Sequence, residues 1–94
     1  MIFMDIVTWD PKDNDTVHQR YEAWVVPEGY NIISEWFDLS SCRFFTIYEL
    51  ENEEAYARSA FPFRDITKLE TIPVIKPEKA FEIAEKMMAE MEND

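Results

Sequence analysis

The chain has 94 residues, a formal net charge of −11, 47% hydrophobic and 15% aromatic residues, one cysteine and one glycine. That length suits one domain rather than two, and the apolar content excludes a disordered chain. The acidity argues against nucleic acid and anionic membrane as partners, and a single cysteine excludes an intrachain disulfide framework.

The opening Ile2–Trp9 is apolar and largely β-branched and predicts a first strand. It carries no basic leader, so a signal peptide is not expected. No apolar run approaches the ~20 residues that span a bilayer, and cytoplasmic residence is the expectation. Asp10-Pro11-Lys12-Asp13-Asn14-Asp15 is a turn, with Asn14 or Asp15 able to cap a helix. Val17, Tyr21, Trp24 and Val25 then recur at helical spacing over Thr16–Val26, until Pro27-Glu28-Gly29 ends the pattern.

Tyr30–Leu39 predicts a second strand. Simple alternation puts Ile33, Glu35, Phe37 and Leu39 on one face and Ile32, Ser34, Trp36 and Asp38 on the other. Ser40-Ser41 is a tight connection to a third strand, Cys42–Leu50, making a hairpin. Glu51-Asn52-Glu53-Glu54 is an acidic helix start suited to the helix dipole, and Phe61-Pro62 stops that short helix. Ile66–Ile75 predicts a fourth strand. Pro73 has no amide donor, so this strand belongs at a sheet edge. Pro77 opens a terminal helix whose apolar stripe is Ala80, Ile83, Ala84, Met87 and Met91.

The order β-α-β-β-α-β plus a C-terminal helix predicts an α+β, ferredoxin-like domain over residues 1–94, with a four-stranded antiparallel sheet and both main helices on one face. The other face would be bare. Yet both alternating sets of the first strand are mainly apolar, and Trp36 against Phe37 and Phe44 against Phe45 repeat this. A solvated sheet face would alternate with polar residues. The expectation is a homodimer through this face, with a covering terminal helix as the alternative.

Six residues are candidate ligand-binding positions: Asp5, Trp9, His18, Trp36, Arg43 and Tyr48. Asp5 sits inside an apolar strand, on the bare face by parity. With Arg43 in one cavity it would bind a polar ligand, and otherwise the two would form an interfacial ion pair. Trp9 and Trp36, with Phe3 and Phe45, would line a pocket for a small apolar or aromatic ligand, or would serve as core and dimer contact. His18 has Glu22 one turn later: a base with its orienting carboxylate, two metal ligands, or a surface contact. Cys42 and the Met87-Met88-Met91 group read as packing. No glycine-rich phosphate loop, Cys-x-x-Cys pair or nucleophile elbow is present, so no cofactor or metal is expected.

Met1-Ile2-Phe3-Met4, Pro27-Glu28-Gly29, Trp36, Arg43, Asp65 and Pro73-Val74 together make the chain, over roughly residues 1 to 80, resemble the small proteins grouped as domain of unknown function 3303. The resemblance implies a ferredoxin-like protein of the dimeric α/β-barrel type and brings no established activity. Members often carry a histidine after the strand tryptophan and a tryptophan before the last strand. Here those positions are Phe37 and Phe63. Two functions follow for testing: a non-enzymatic ligand-binding or assembly module, and a cofactor-free enzyme of isomerase or monooxygenase type with a cavity at the sheet.

Overall fold

The computed structural model describes residues 1–93. Its elements run β1 (Ile2–Thr8), a 3-10 turn (Pro11–Asp13), α1 (Asn14–Ala23), β2 (Tyr30–Phe37), β3 (Arg43–Leu50), α2 (Glu53–Ala60), β4 (Lys68–Val74) and α3 (Pro77–Glu92). The sheet order is β2-β3-β1-β4, and every neighbouring pair is antiparallel. This is the expected ferredoxin-like plan, with β4 and its Pro73 at an edge.

Local chemistry sets the boundaries. Asp10 caps the 3-10 turn by accepting from the Lys12 amide at 2.9 Å, with Pro11 in its first turn. α1 ends three residues before the expected Val26, because Trp24 already has an extended backbone (ψ 133°). The β-branched pair Val25-Val26 ahead of Pro27 favours that extension. Asn52 caps α2 through its side chain, which accepts from the Ala55 amide at 2.8 Å. β2 stops at Phe37 because Asp38 turns the chain, accepting from the Ser40 amide at 2.8 Å.

The pairing of β2 with β3 shifts between Ile32 and Ser34, leaving Ile33 as an extra residue. This bulge corrects the simple alternation. Ile32 pairs with Tyr48, Glu35 with Thr46 and Phe37 with Phe44, all on the helix-covered face. Ser34 and Trp36 pair with Ile47 and Phe45 on the opposite face.

The core lies between the sheet and the two main helices. Tyr48 is fully buried, and its ring stacks on Tyr30 at 4.3 Å with Ala55 beside them. Phe3, Trp24, Ile32 and Leu50 close around this cluster. The opposite face carries Ile2, Met4 and Ile6 from β1, Phe45 and Ile47 from β3, and Ile72 and Val74 from β4. No helix of the described chain covers it. Trp36 there is 64% exposed. α3 does not fold back over this face. Every residue of α3 except Ala80 is exposed, and the molecule measures 57 × 30 × 20 Å.

Candidate functional site

Helices α1 and α2 stand off the sheet enough to leave a cavity of about 80 Å³ between them. A water needs about 10–15 Å³ by the same measure, so several waters or one small ring fit there. Its floor is β1, β3 and β4, through Asp5, Val7, Phe44, Thr46 and Leu69. Its walls are aromatic: Trp9, Tyr21, Trp24, Tyr30, Phe37 and Phe63, with His18 at the α1 side.

Asp5 is the polar centre. Alternation along β1 places Phe3, Asp5 and Val7 on the helix-covered face, which corrects the expected placement of Asp5 on the bare face. Asp5 is 5% exposed. The Tyr48 hydroxyl donates to its Oδ1 at 2.6 Å, and the Thr71 hydroxyl donates to the same oxygen at 2.8 Å. Thr71 has given its hydrogen to Asp5, so Tyr56, 2.8 Å away, donates to Thr71 in turn. A relay of hydroxyls from α2, β3 and β4 therefore ends on one carboxyl oxygen. Among the described residues no hydrogen bond engages Asp5 Oδ2.

Burial pushes the Asp5 carboxyl above its ordinary value, against the hydrogen bonds from Tyr48 and Thr71 that pull it down. Burial and the bond to Asp5 in turn push the Tyr48 phenol up. Buried carboxylates ordinarily have a cationic partner. Here the arginines are engaged elsewhere. Arg20 pairs with Asp65 at 2.6 Å, Arg43 with Asp38 at 2.9 Å and Arg58 with Glu54 at 3.5 Å, while Arg64 lies over the Phe61 ring at 4.7 Å. The lysines are exposed.

Trp24 Nε1 is the second unsettled polar atom. It is buried and finds no acceptor within the described chain. An unpaired buried donor costs about 1–3 kcal/mol. Two other wall polar groups are satisfied. Trp9 Nε1 donates to Asn14 Oδ1 at 3.0 Å, and the Tyr21 hydroxyl donates to Glu35 Oε2 at 2.6 Å. Burial, with the Glu35 carboxylate beside it, pushes the Tyr21 phenol up to about 12. Arg20 also donates to the Pro62 carbonyl at 2.9 Å, clasping α1 to the turn that carries Phe63.

The six sequence-predicted positions divide between two faces. Asp5, Trp9 and His18 line the cavity, and Tyr48 reaches it through its bond to Asp5. His18 stacks on Phe37, ring centres 5.8 Å apart, and forms no ion pair with Glu22 among the described residues. Trp36 and Arg43 lie on the opposite face. Arg43 pairs across the sheet with Thr8, whereas Asp5 pairs with Thr46, so the two alternate to opposite sides. Arg43 bonds Asp38 through both Nε and Nη2, at 3.1 and 2.9 Å, and covers the Phe45 ring at 5.2 Å. The expected Asp5–Arg43 meeting is thus replaced by a local Arg43–Asp38 pair. The expected aromatic group splits in the same way: Phe3 and Trp9 sit on the helix side, and Trp36 and Phe45 on the open side.

Sequence reasoning missed Trp24, Tyr30, Phe44, Phe63 and Thr71. Trp24 was legible as part of a helical apolar stripe, but only its place past the end of α1 turns it toward the cavity. Nothing local marks Thr71, whose role depends on the pairing of β1 with β4.

No helix among the described residues is long and apolar enough to cross a membrane. No curated protein matches the chain. The family model described as domain of unknown function 3303 matches residues 1–88, and the chain belongs to that family.

Proposed function

We propose that this protein is a non-enzymatic, homodimeric module that binds a small aromatic ligand between its two main helices and its sheet. One observation carries the reading: a buried carboxyl, held by hydroxyls on one oxygen and free on the other, faces an aromatic-walled cavity. Binding pockets combine apolar walls with a few placed polar groups. A protein interior built only for stability would fill such a space or give its carboxyl a charged partner.

The dimer rests on the open sheet face. Ile2, Met4, Ile6, Phe45, Ile47, Ile72 and Val74 form a continuous apolar layer with Trp36 at its side. Monomeric proteins rarely leave such a layer to water, and a second copy covers it by symmetry. Light scattering on the purified chain should give twice the protomer mass at micromolar concentration, and Trp36→Glu should return the protomer mass with the fold intact. Denaturation melts with benzyl alcohol and related single-ring probes should show stabilisation of the wild type. A protomer mass for the wild type removes the dimer, and melts indifferent to every aromatic probe remove the ligand.

A second reading, a cofactor-free isomerase, draws on Asp5 and His18 lining the same cavity. It requires proton exchange from a carbon acid, which solvent-deuterium incorporation followed by NMR would detect.

A further inference from the structure

We propose that the ligand is a small aromatic amine, bound as its ammonium, with Asp5 Oδ2 as the counter-charge. This deepens the small-molecule reading and rests on it.

The argument starts from a missing partner. Asp5 is buried, yet no lysine or arginine of the described chain reaches it, since each arginine is occupied elsewhere and the lysines are exposed. Both hydroxyl donors, Tyr48 and Thr71, crowd onto Oδ1. That arrangement steadies the carboxyl group and keeps Oδ2 clear on the cavity side. A ligand cation would supply the charge that the fold withholds.

The walls suit the same occupant. Ring faces attract cations through their quadrupoles, and aromatic boxes closed by a carboxylate are a recurrent solution for organic ammonium groups. Trp24, Tyr30, Phe37 and Phe44 supply aromatic rings to the lining of the cavity. The net charge of −11 draws cations toward the protein and repels carboxylate ligands. A cavity of about 80 Å³ restricts the body of the ligand to about one ring.

Proton linkage provides an independent readout. The groups facing Asp5 are Tyr48 from β3, Tyr30 from β2 and Tyr56 from α2, with His18 and Tyr21 of α1 and Glu35 of β2 around the same space. Burial pushes the Tyr48, Tyr30 and Tyr21 phenols up, further from mildly acid pH. Burial holds the empty Asp5 carboxyl toward its protonated form. An arriving ammonium favours the carboxylate, so binding at mildly acid pH releases a proton.

The test is calorimetric titration of the full chain with benzylamine, benzyl alcohol, acetophenone and benzoate. Benzylamine should bind about tenfold or more tighter than benzyl alcohol, the scale of a desolvated cation–π and charge contact, and benzoate should not bind. Asp5→Asn, isosteric and checked for its own melt, should bring amine and alcohol to within about threefold of each other, less than 1 kcal/mol. At mildly acid pH the wild-type benzylamine heat should vary with the ionisation enthalpy of the buffer. Acetophenone or benzyl alcohol matching the amine overturns the proposal, because Asp5 then acts as a neutral donor. An amine preference that survives in Asp5→Asn overturns it as well, since the counter-charge lies elsewhere. If no probe binds the wild type, the ligand-binding reading itself fails and the amine falls with it.

Discussion

Tyr48 donates its phenolic hydrogen to Asp5 Oδ1 at 2.6 Å while its ring stacks on Tyr30, so one fully buried side chain serves both the aromatic core and the polar centre of the cavity. The bond crosses the central strand pair, β3 to β1, from the residue two positions along β3 from Asp5's own partner, Thr46. The fold's stability and its candidate site therefore meet at one residue, and substitutions there separate the two.

Tyr48→Phe keeps the ring stack and removes only the hydroxyl. The loss of one buried hydrogen bond, with Asp5 still held by Thr71, should cost about 1–3 kcal/mol. Tyr48→Ala removes the ring as well and should cost about 3–5 kcal/mol by leaving a cavity in the core. Urea denaturation followed by tryptophan fluorescence measures both. Equal costs for the two variants would show that the ring contributes nothing beyond its hydroxyl.

The pH dependence has two limbs of opposite sign. Asp5 is raised in the folded chain, so its favourable contribution is complete below its unfolded value of 3.8 and is lost as pH rises through the higher folded value. Asp5→Asn lacks that loss, so its stability relative to wild type should grow as pH rises above about 4. Asp38 behaves oppositely. The Ser40 hydroxyl and amide and then Arg43 hold its carboxyl at about 2, so its contribution is present above 3.8 and lost as pH falls toward 2. Asp65, lowered by its bond to Arg20, follows the same direction. Chemical denaturation of both chains across pH reads the two limbs, and a constant difference between wild type and Asp5→Asn would refute the buried-acid account.

Gly29→Ala should destabilise the junction between β2 and α2. Gly29 holds φ +87°, a conformation side chains rarely adopt, and an added Cβ would lie 3.0 Å from Asn52 Nδ2 and 3.4 Å from Ala55 Cβ. Asn52 is the cap of α2, so the displaced side chain loosens that helix as well. The expected cost is about 1–3 kcal/mol, read as a lower urea midpoint with unchanged slope. A midpoint within error of wild type would show that the loop relaxes freely.

α3 should behave as a helix in search of a surface. Its Phe81, Met87, Met88 and Met91 are exposed. An isolated 16-residue helix is marginal in water, so within one protomer Pro77–Glu92 should exchange its amides far faster than β1 or β3. Protection in this segment should rise with protein concentration as copies associate. Protection that ignores concentration would mean that α3 is stable alone.

The elements and their order were legible in the sequence because their signals are local. Alternation, helical spacing, the acidic start at Glu51-Asn52-Glu53-Glu54, Pro73 and Pro77 each act within a few residues, and the ferredoxin-like order follows from them. The open face was legible too, since two apolar sets on one strand require two covers. Three matters were decided only in three dimensions. Which set of β1 meets the helices could not be read, because Ile2, Met4 and Ile6 are as apolar as Phe3 and Val7. The bulge at Ile33 reversed part of β2, since one extra residue exchanges every facing beyond it. The site itself joins Asp5 to Tyr48 and Thr71, 43 and 66 positions away, by strand register alone. Register is settled by the sum of burial over the whole sheet, and no short stretch of sequence holds that sum.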